Sequence, residues 1–197
     1  MNEKALAKLM KAAYKGGGVK VFRSPEDVLY LAGPGWACAM LWAYAPGPVL
    51  GQIAAWLHGL PEKGEGWWCL DDAKDDPQPI DSMPEPLPAL SAAPPEEGGQ
   101  LLLLALTRNR FLAAQRDDHK VVWFEQQAVD LLGRLATLGG GALLAGPDGM
   151  PWGRWYDPET GTVVFLETVD RVRPDLTAKL GEIDFRNRGG DGNGETQ

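Results

Sequence analysis

An order of elements occurs twice in this chain, and that repetition narrows the architectures open to it more than any single motif does. A strand-like run ending in Leu41-Trp42-Ala43-Tyr44 leads into an amphipathic segment, Val49 to Leu57, then a turn and another apolar run. Val121-Val122-Trp123-Phe124 leads in the same way into Ala128 to Leu138, followed by Gly-rich turns and further strands. Apolar residues at Leu50, Ile53, Ala54 and Leu57, and at Ala128, Leu131, Leu132 and Leu135, give each copy one apolar helical face. Every amphipathic helix shares such spacing, so the flanking strands carry the repeat.

The 197 residues suit one domain of moderate size or two small ones, and a 44% hydrophobic composition supplies a core. Residues 2–15 predict a helix with Leu6, Leu9, Met10 and Ala13 on one side, stopped by Gly16-Gly17-Gly18. Its other side carries Lys4, Lys8, Lys11 and Lys15 at helical spacing, with only Glu3 close enough in sequence to offset them. Such a stripe is either a solvated face or a track for phosphates. A net charge of −8 opposes indiscriminate adhesion to nucleic acid or an anionic membrane, but a local basic face survives it.

Val19–Phe22, Val28–Ala32 and Trp36–Tyr44 predict strands, parted by Ser24-Pro25-Glu26-Asp27 and Gly33-Pro34-Gly35, which have the chemistry of turns. A helix from Pro48 ends at Gly59-Leu60-Pro61, and Trp67-Trp68-Cys69-Leu70 predicts a further strand. From Asp71 to Pro79 the chain turns acidic and proline-bearing, the composition of a surface connector between domains. A short helix is expected in Ser82–Ala93, then strands at Leu101–Leu106, Phe111–Gln115 and Lys120–Phe124. Ala142–Ala145, Trp152–Tyr156 and Val163–Thr168 follow the second helix as strands. The end, with Gly189-Gly190-Asp191-Gly192-Asn193-Gly194, lacks the apolar surface to order itself.

Catalytic chemistry is sparse. The two histidines, His58 late in a helix and His119 in a turn, are the available general bases, and neither has a nucleophile beside it in sequence. No Cys or His spacing suggests zinc, and Asp71, Asp72, Asp75 and Asp76 lack the glycine and distal glutamate of a calcium loop. Gly16-Gly17-Gly18 follows a helix instead of opening one, so it does not cradle phosphates. No catalytic residue, metal or cofactor is expected. Cys38 and Cys69 lie in apolar runs, where a buried reduced thiol is the usual state. Trp36, Trp42, Trp56 and Trp123 suit core packing, whereas Trp152 and Trp155, flanking Arg154 in a Gly-rich stretch, are expected at the surface. The sequence shows no apolar run of the roughly 20 residues a membrane helix needs, and its N-terminus opens an amphipathic helix instead of a signal peptide; a cytoplasmic protein is expected.

Taken together, helix, meander, helix and strands, then an acidic connector, then the same order again resemble the DNA sliding clamps. Phe124-Glu125-Gln126-Gln127-Ala128-Val129-Asp130-Leu131-Leu132 looks like the last helix of a clamp with the strand before it. Val163 to Val169 stands where clamps finish, and Ile53 to Glu62 is similar to the helix and Leu-Pro turn of a clamp's first domain. The resemblance covers residues 1–170. It implies an α+β fold of two tandem clamp-like domains, each with helices packed on antiparallel sheet, at 1–76 and 77–175, with a largely flexible tail at 176–197. It also implies a processivity factor that encircles duplex DNA as a homotrimer and tethers a polymerase or another clamp-binding replication protein. On that reading Lys4, Lys8, Lys11 and Lys15 face the central hole, joined by Gln52 and His58 on the second helix and by Gln127 and Arg134 on the last. Of the four candidate lining helices only the first is basic, and the Ser82 helix offers no basic residue. A non-catalytic interaction or inhibitor protein, such as a mobile element carries, that keeps the fold without encircling DNA is the alternative.

Overall fold

A computed structural model describes residues 1–71, 76–138, 140–147 and 149–186. Helix α1 (Glu3–Gly16) precedes a meander of β1 (Val19–Arg23), β2 (Val28–Gly33) and β3 (Trp36–Leu41); α2 (Gly47–Leu57) then leads to β4 (Gly66–Cys69) and β5 (Gln78–Pro79). The order recurs as α3 (Leu87–Ala92), a meander of β6 (Pro95–Arg108), β7 (Phe111–Arg116) and β8 (Val121–Glu125), then α4 (Gln126–Val129), β9 (Gly141–Leu144), β10 (Trp152–Asp157) and β11 (Thr162–Glu167). A last helix, α5 (Pro174–Gly181), follows. Part of the acidic connector, 72–75, and the Gly-rich end, 189–194, lie outside the described residues.

The fold is α+β, with every described strand in one antiparallel sheet of order β5-β4-β1-β2-β3-β11-β10-β9-β6-β7-β8. The two halves meet where β3 pairs with β11, from Val163↔Ala39 to Leu166↔Trp36. Beyond β11 the chain crosses to the far edge: Thr168 bridges Phe124 and the Val169 amide donates to the Trp123 carbonyl at 2.8 Å. Local chemistry sets the turns. Gly35 has φ +73 in the β2–β3 hairpin, and Asn109 and Arg110, at φ +49 and +69, form the tight β6–β7 hairpin. Asn2 caps α1 by accepting from the Ala5 amide at 3.2 Å.

Strand alternation splits the apolar residues between two faces. On β11, Val164 and Leu166 enter the main core with Leu6, Met10, Ile53, Leu131 and Leu132, so α1, α2 and the α4 region cover one face of the sheet. Phe165 points the other way, beneath Leu87 and Leu90 of α3 and beside Ala32, Ala37, Leu144 and Trp152. Tyr14 of α1 stacks on Trp56 of α2 with centroids 4.5 Å apart, which locks those two helices together.

Several expectations are corrected. Trp42–Tyr44 is a 3-10 turn and not the end of a strand: the Trp42 ring lies 3.9 Å beneath the Arg23 guanidinium, and the chain must leave the sheet there to start α2. The helix expected over Ala128–Leu138 is broken into α4 and a 3-10 turn at Gly133–Thr137. Gly133 takes φ +51, and a Cβ there would sit 3.1 Å from the Asn2 nitrogen, so the seating of α1 forces the break. Trp152 and Trp155 are buried, not exposed, because strand pairing turns one to each face. The tail expected to be flexible from residue 176 is, through 186, a helix and a short bent arm that pack Leu176, Leu180 and Phe185 on β6–β8. The resemblance puts the Ser82 helix among the lining helices, but α3 lies on the face of the sheet opposite α1.

The seam yields a stability prediction. Phe165→Ala removes a side chain 1% exposed at the join and is expected to cost about 3–5 kcal/mol, read as a lower urea midpoint at unchanged slope. Tyr156→Ala, on the exposed end of β10, should stay within about 0.5 kcal/mol.

Candidate nucleic-acid interface

Because α1 buries Leu6, Leu9, Met10 and Ala13, helical periodicity forces Lys4, Lys8, Lys11 and Lys15 onto its opposite side. All four are exposed. None of them belongs to an ion pair among the described residues. Several bases elsewhere are matched with carboxylates, Arg23 and Lys63 with Asp27, Arg116 with Glu96, Lys120 with Asp118, Arg173 with Asp175 and Arg186 with Asp117. Lys20, Arg108, Arg154, Arg171 and Lys179 also lack an ion pair among the described residues but stand singly on separate elements. Asp27 shows the consequence, since hydrogen bonds from Lys63 and Arg23 hold its carboxyl below the usual carboxylate range. In an acidic chain the α1 stripe is thus left available to phosphate.

A groove of about 490 Å³ runs beside the stripe, between α1 and the α4 region. Asn2, Lys4 and Lys8 form one wall, and Gln127, Asp130 and Gly133 the other. The Asn2 amide donates to the Leu131 carbonyl at 2.8 Å, which fixes the two walls relative to each other. Gln127 is exposed here, so the structure brings it together with Lys4 and Lys8. Asp130, which sequence reasoning left out of the site, introduces one carboxylate, hydrogen-bonded by the Gln126 side chain at 3.1 Å. Asn2 was also missed; its place immediately before an apolar-periodic run was the available signal.

The other expected residues do not join this surface. Arg134 donates to Asp157 at 2.7 Å and lies 3.4 Å from Glu159. Burial pushes the Asp157 carboxyl up, but hydrogen bonds from Arg134, the Glu159 amide and Thr160 outweigh it and hold the group below the usual carboxylate range. Arg134 therefore anchors the turn after α4 to the end of β10. Gln52 is half-buried, with its Nε2 enclosed and without a partner. His58 ends α2 in the left-handed conformation, φ +55, beside a separate cavity of about 300 Å³ with Trp56, Leu60 and Trp67. Solvent on the outer side of α2 meets Gly47, Pro48, Gly51 and Ala55, none of them charged.

His119, the other candidate base, stands in the β7–β8 turn, 3.8 Å from Asp184. The cysteine thiols are buried, and burial pushes Cys38 up to about 12 and Cys69 up to about 11, far from thiolate chemistry. Among the described residues no group of His, Cys, Asp and Glu could hold a metal ion, and no helix is long and apolar enough to cross a membrane.

No known family profile matches the sequence, and no curated protein does. Among solved structures the chain is similar to a DNA polymerase sliding clamp from Pseudomonas aeruginosa, with a TM-score of 0.35 and 14% identity over 91% of this chain and 66% of that one. The same clamp with a ligand gives a TM-score of 0.35 and 15% identity over 89% of this chain and 65% of the other. The chain thus spans just under two thirds of the length of those clamps.

The Arg134–Asp157 pair sets a pH dependence. A carboxyl held below its ordinary value contributes stability that is complete above the unfolded pKa, about 3.9, and is lost as pH falls through the folded value. Arg134→Ala should lower Tm by a few degrees at pH 7, and the difference from the parent chain should shrink below about pH 4.

Proposed function

We propose that this chain is a non-catalytic, clamp-like protein that holds the phosphate backbone of duplex DNA on the lysine face of α1, without reading base sequence, and tethers a replication protein there. The observation that carries this reading is the row of four lysines on the exposed face of α1. Lys4, Lys8, Lys11 and Lys15 stand exposed in a row on one helix face, without an ion pair among the described residues, whereas the other bases either engage carboxylates or stand singly on separate elements. Point charges on flexible stems suit loose, mobile phosphate contacts, and an otherwise acidic protein would not stick elsewhere on the duplex. Gln127, across the groove, supplies a neutral donor beside them.

The repeated element order supports two units, 1–76 and 77–175, sharing one sheet. In the fuller form of this reading three copies close a ring around DNA. A second reading rests on the sheet edges. β5 has two residues and ends in Pro79, and part of β8 is covered by residues 168–169, so neither edge offers a long free strand to a neighbour. That favours an interaction protein that lies on DNA or on a clamp partner without encircling it.

Reversing Lys4, Lys8 and Lys11 to glutamate should leave circular dichroism unchanged and lower the slope of log Kobs against log salt on duplex DNA by roughly 3, about 0.9 for each lost contact. An unchanged slope would reduce the stripe to a solubility surface. Mass in solution separates the two readings: a ring requires concentration-dependent trimer that is retained on circular but not linear duplex, and a strict monomer at micromolar concentration excludes it.

A further inference from the structure

The outer face of β6–β8 holds a second built site, independent of the lysine face. Gln115, on β7, is fully buried, and its side-chain amide is turned to the bent arm that follows α5. Its Nε2 donates to the Ile183 carbonyl at 2.6 Å and to the His119 carbonyl at 3.2 Å, while its Oε1 accepts from the Phe185 amide at 3.0 Å. One side chain thus holds a carbonyl and an amide two residues apart on the arm. Leu180 and Phe185 rest on the apolar surface of Leu104, Ala113, Val121 and Trp123. Arg186 completes the contact, donating to the Gln100 carbonyl at 2.8 Å and pairing with Asp117 at 3.0 Å.

The arm occupies this surface without becoming part of the core. No residue of α5 is buried, and Leu180, Ile183 and Phe185 are only half-buried, whereas the sheet residues beneath them are buried. An open apolar cavity of about 520 Å³, lined by Val121, Trp123, Pro151, Val172 and Thr177, continues beside the first turn of α5, so the arm leaves adjoining apolar surface uncovered. Segments held by few buried contacts open at lower free energy than the strands they lie on.

We propose that the outer face of β6–β8 is a peptide-recognition groove, filled in the free chain by its own residues 180–186 and open to a partner's segment of the same chemistry and the same bent course. That segment carries apolar side chains at the places of Leu180, Ile183 and Phe185 and a base at the place of Arg186. Gln115 holds its backbone, Asp117 selects the base, and the chain's own arm is the competitor a partner displaces, reducing apparent affinity by the fraction of time the groove is closed.

A fluorescently labelled synthetic peptide of residues 174–186 tests this by anisotropy on the full chain. The expected result is binding at least tenfold tighter to a Leu180→Ala, Phe185→Ala chain, whose own arm is weakened, than to the parent chain. Adding Gln115→Leu to that chain should abolish binding while near-ultraviolet circular dichroism is unchanged. Equal affinity for the parent and arm-weakened chains, or binding indifferent to Gln115→Leu, overturns the proposal. So does a concentration-dependent dimer of the parent chain that the arm substitutions dissolve, because the occupant would then be a second copy. Hydrogen exchange on the unsubstituted chain guards against misfolded variants: the Phe185 amide should exchange faster than the β7 amides, and faster still with excess unlabelled peptide. Exchange as slow as β7 would make the arm an integral part of the fold.

Discussion

Pairing of β3 with β11 is the constraint on which the rest of the molecule depends. Without it the chain holds two smaller sheets, each with an open edge and a half-covered apolar face. With it, Val164 and Leu166 join the core beneath α1 and α2 while Phe165 joins Ala32 and Ala37 beneath α3. A register slip of one residue would exchange those faces, placing Phe165 against α1 and Leu166 against α3. The seam therefore fixes the alternation of both halves together, and with it the side of the sheet on which each helix can pack.

The placement of charge follows from that geometry. Since α1 is seated between α2 and the α4 region, its apolar stripe is consumed and its lysines have one direction left to point. Its neighbours do not neutralise it. The outer side of α2 is made of glycine, proline and alanine, and Arg134, though exposed, is engaged by Asp157. The positive face is consequently narrow, one helix wide, with Gln127 and Asp130 at its border. A surface of this width suits weak, sequence-independent phosphate contact more than an enveloping basic channel.

Much of this was legible in the chain, and the exceptions share a cause. Helical periodicity located α1, its buried stripe and its lysines, because a helix's faces are set by local spacing alone. The strands of both meanders were legible from β-rich runs between turn residues. What was misread involved a partner distant in sequence. The break at Gly133 is imposed by Asn2, the turn at Trp42 by Arg23, and the ordering of residues 176–186 by Gln115 and Trp123. Arg134 looked like a phosphate ligand because its carboxylate partner, Asp157, lies 23 residues away on another strand.

By itself, then, the sequence determined the α+β composition of the chain, the repeated order of its elements and the lysine stripe opposite the buried face of α1, since each of these depends on residues a few positions apart. Tertiary structure alone decided that the repeats share one continuous sheet, that α3 covers the face away from α1, and which bases stay free. It also decided that Gln115 closes on the arm. Those outcomes depend on strand register and on pairs far apart in sequence, and a charged or amide side chain declares its role only when the fold supplies or withholds its partner.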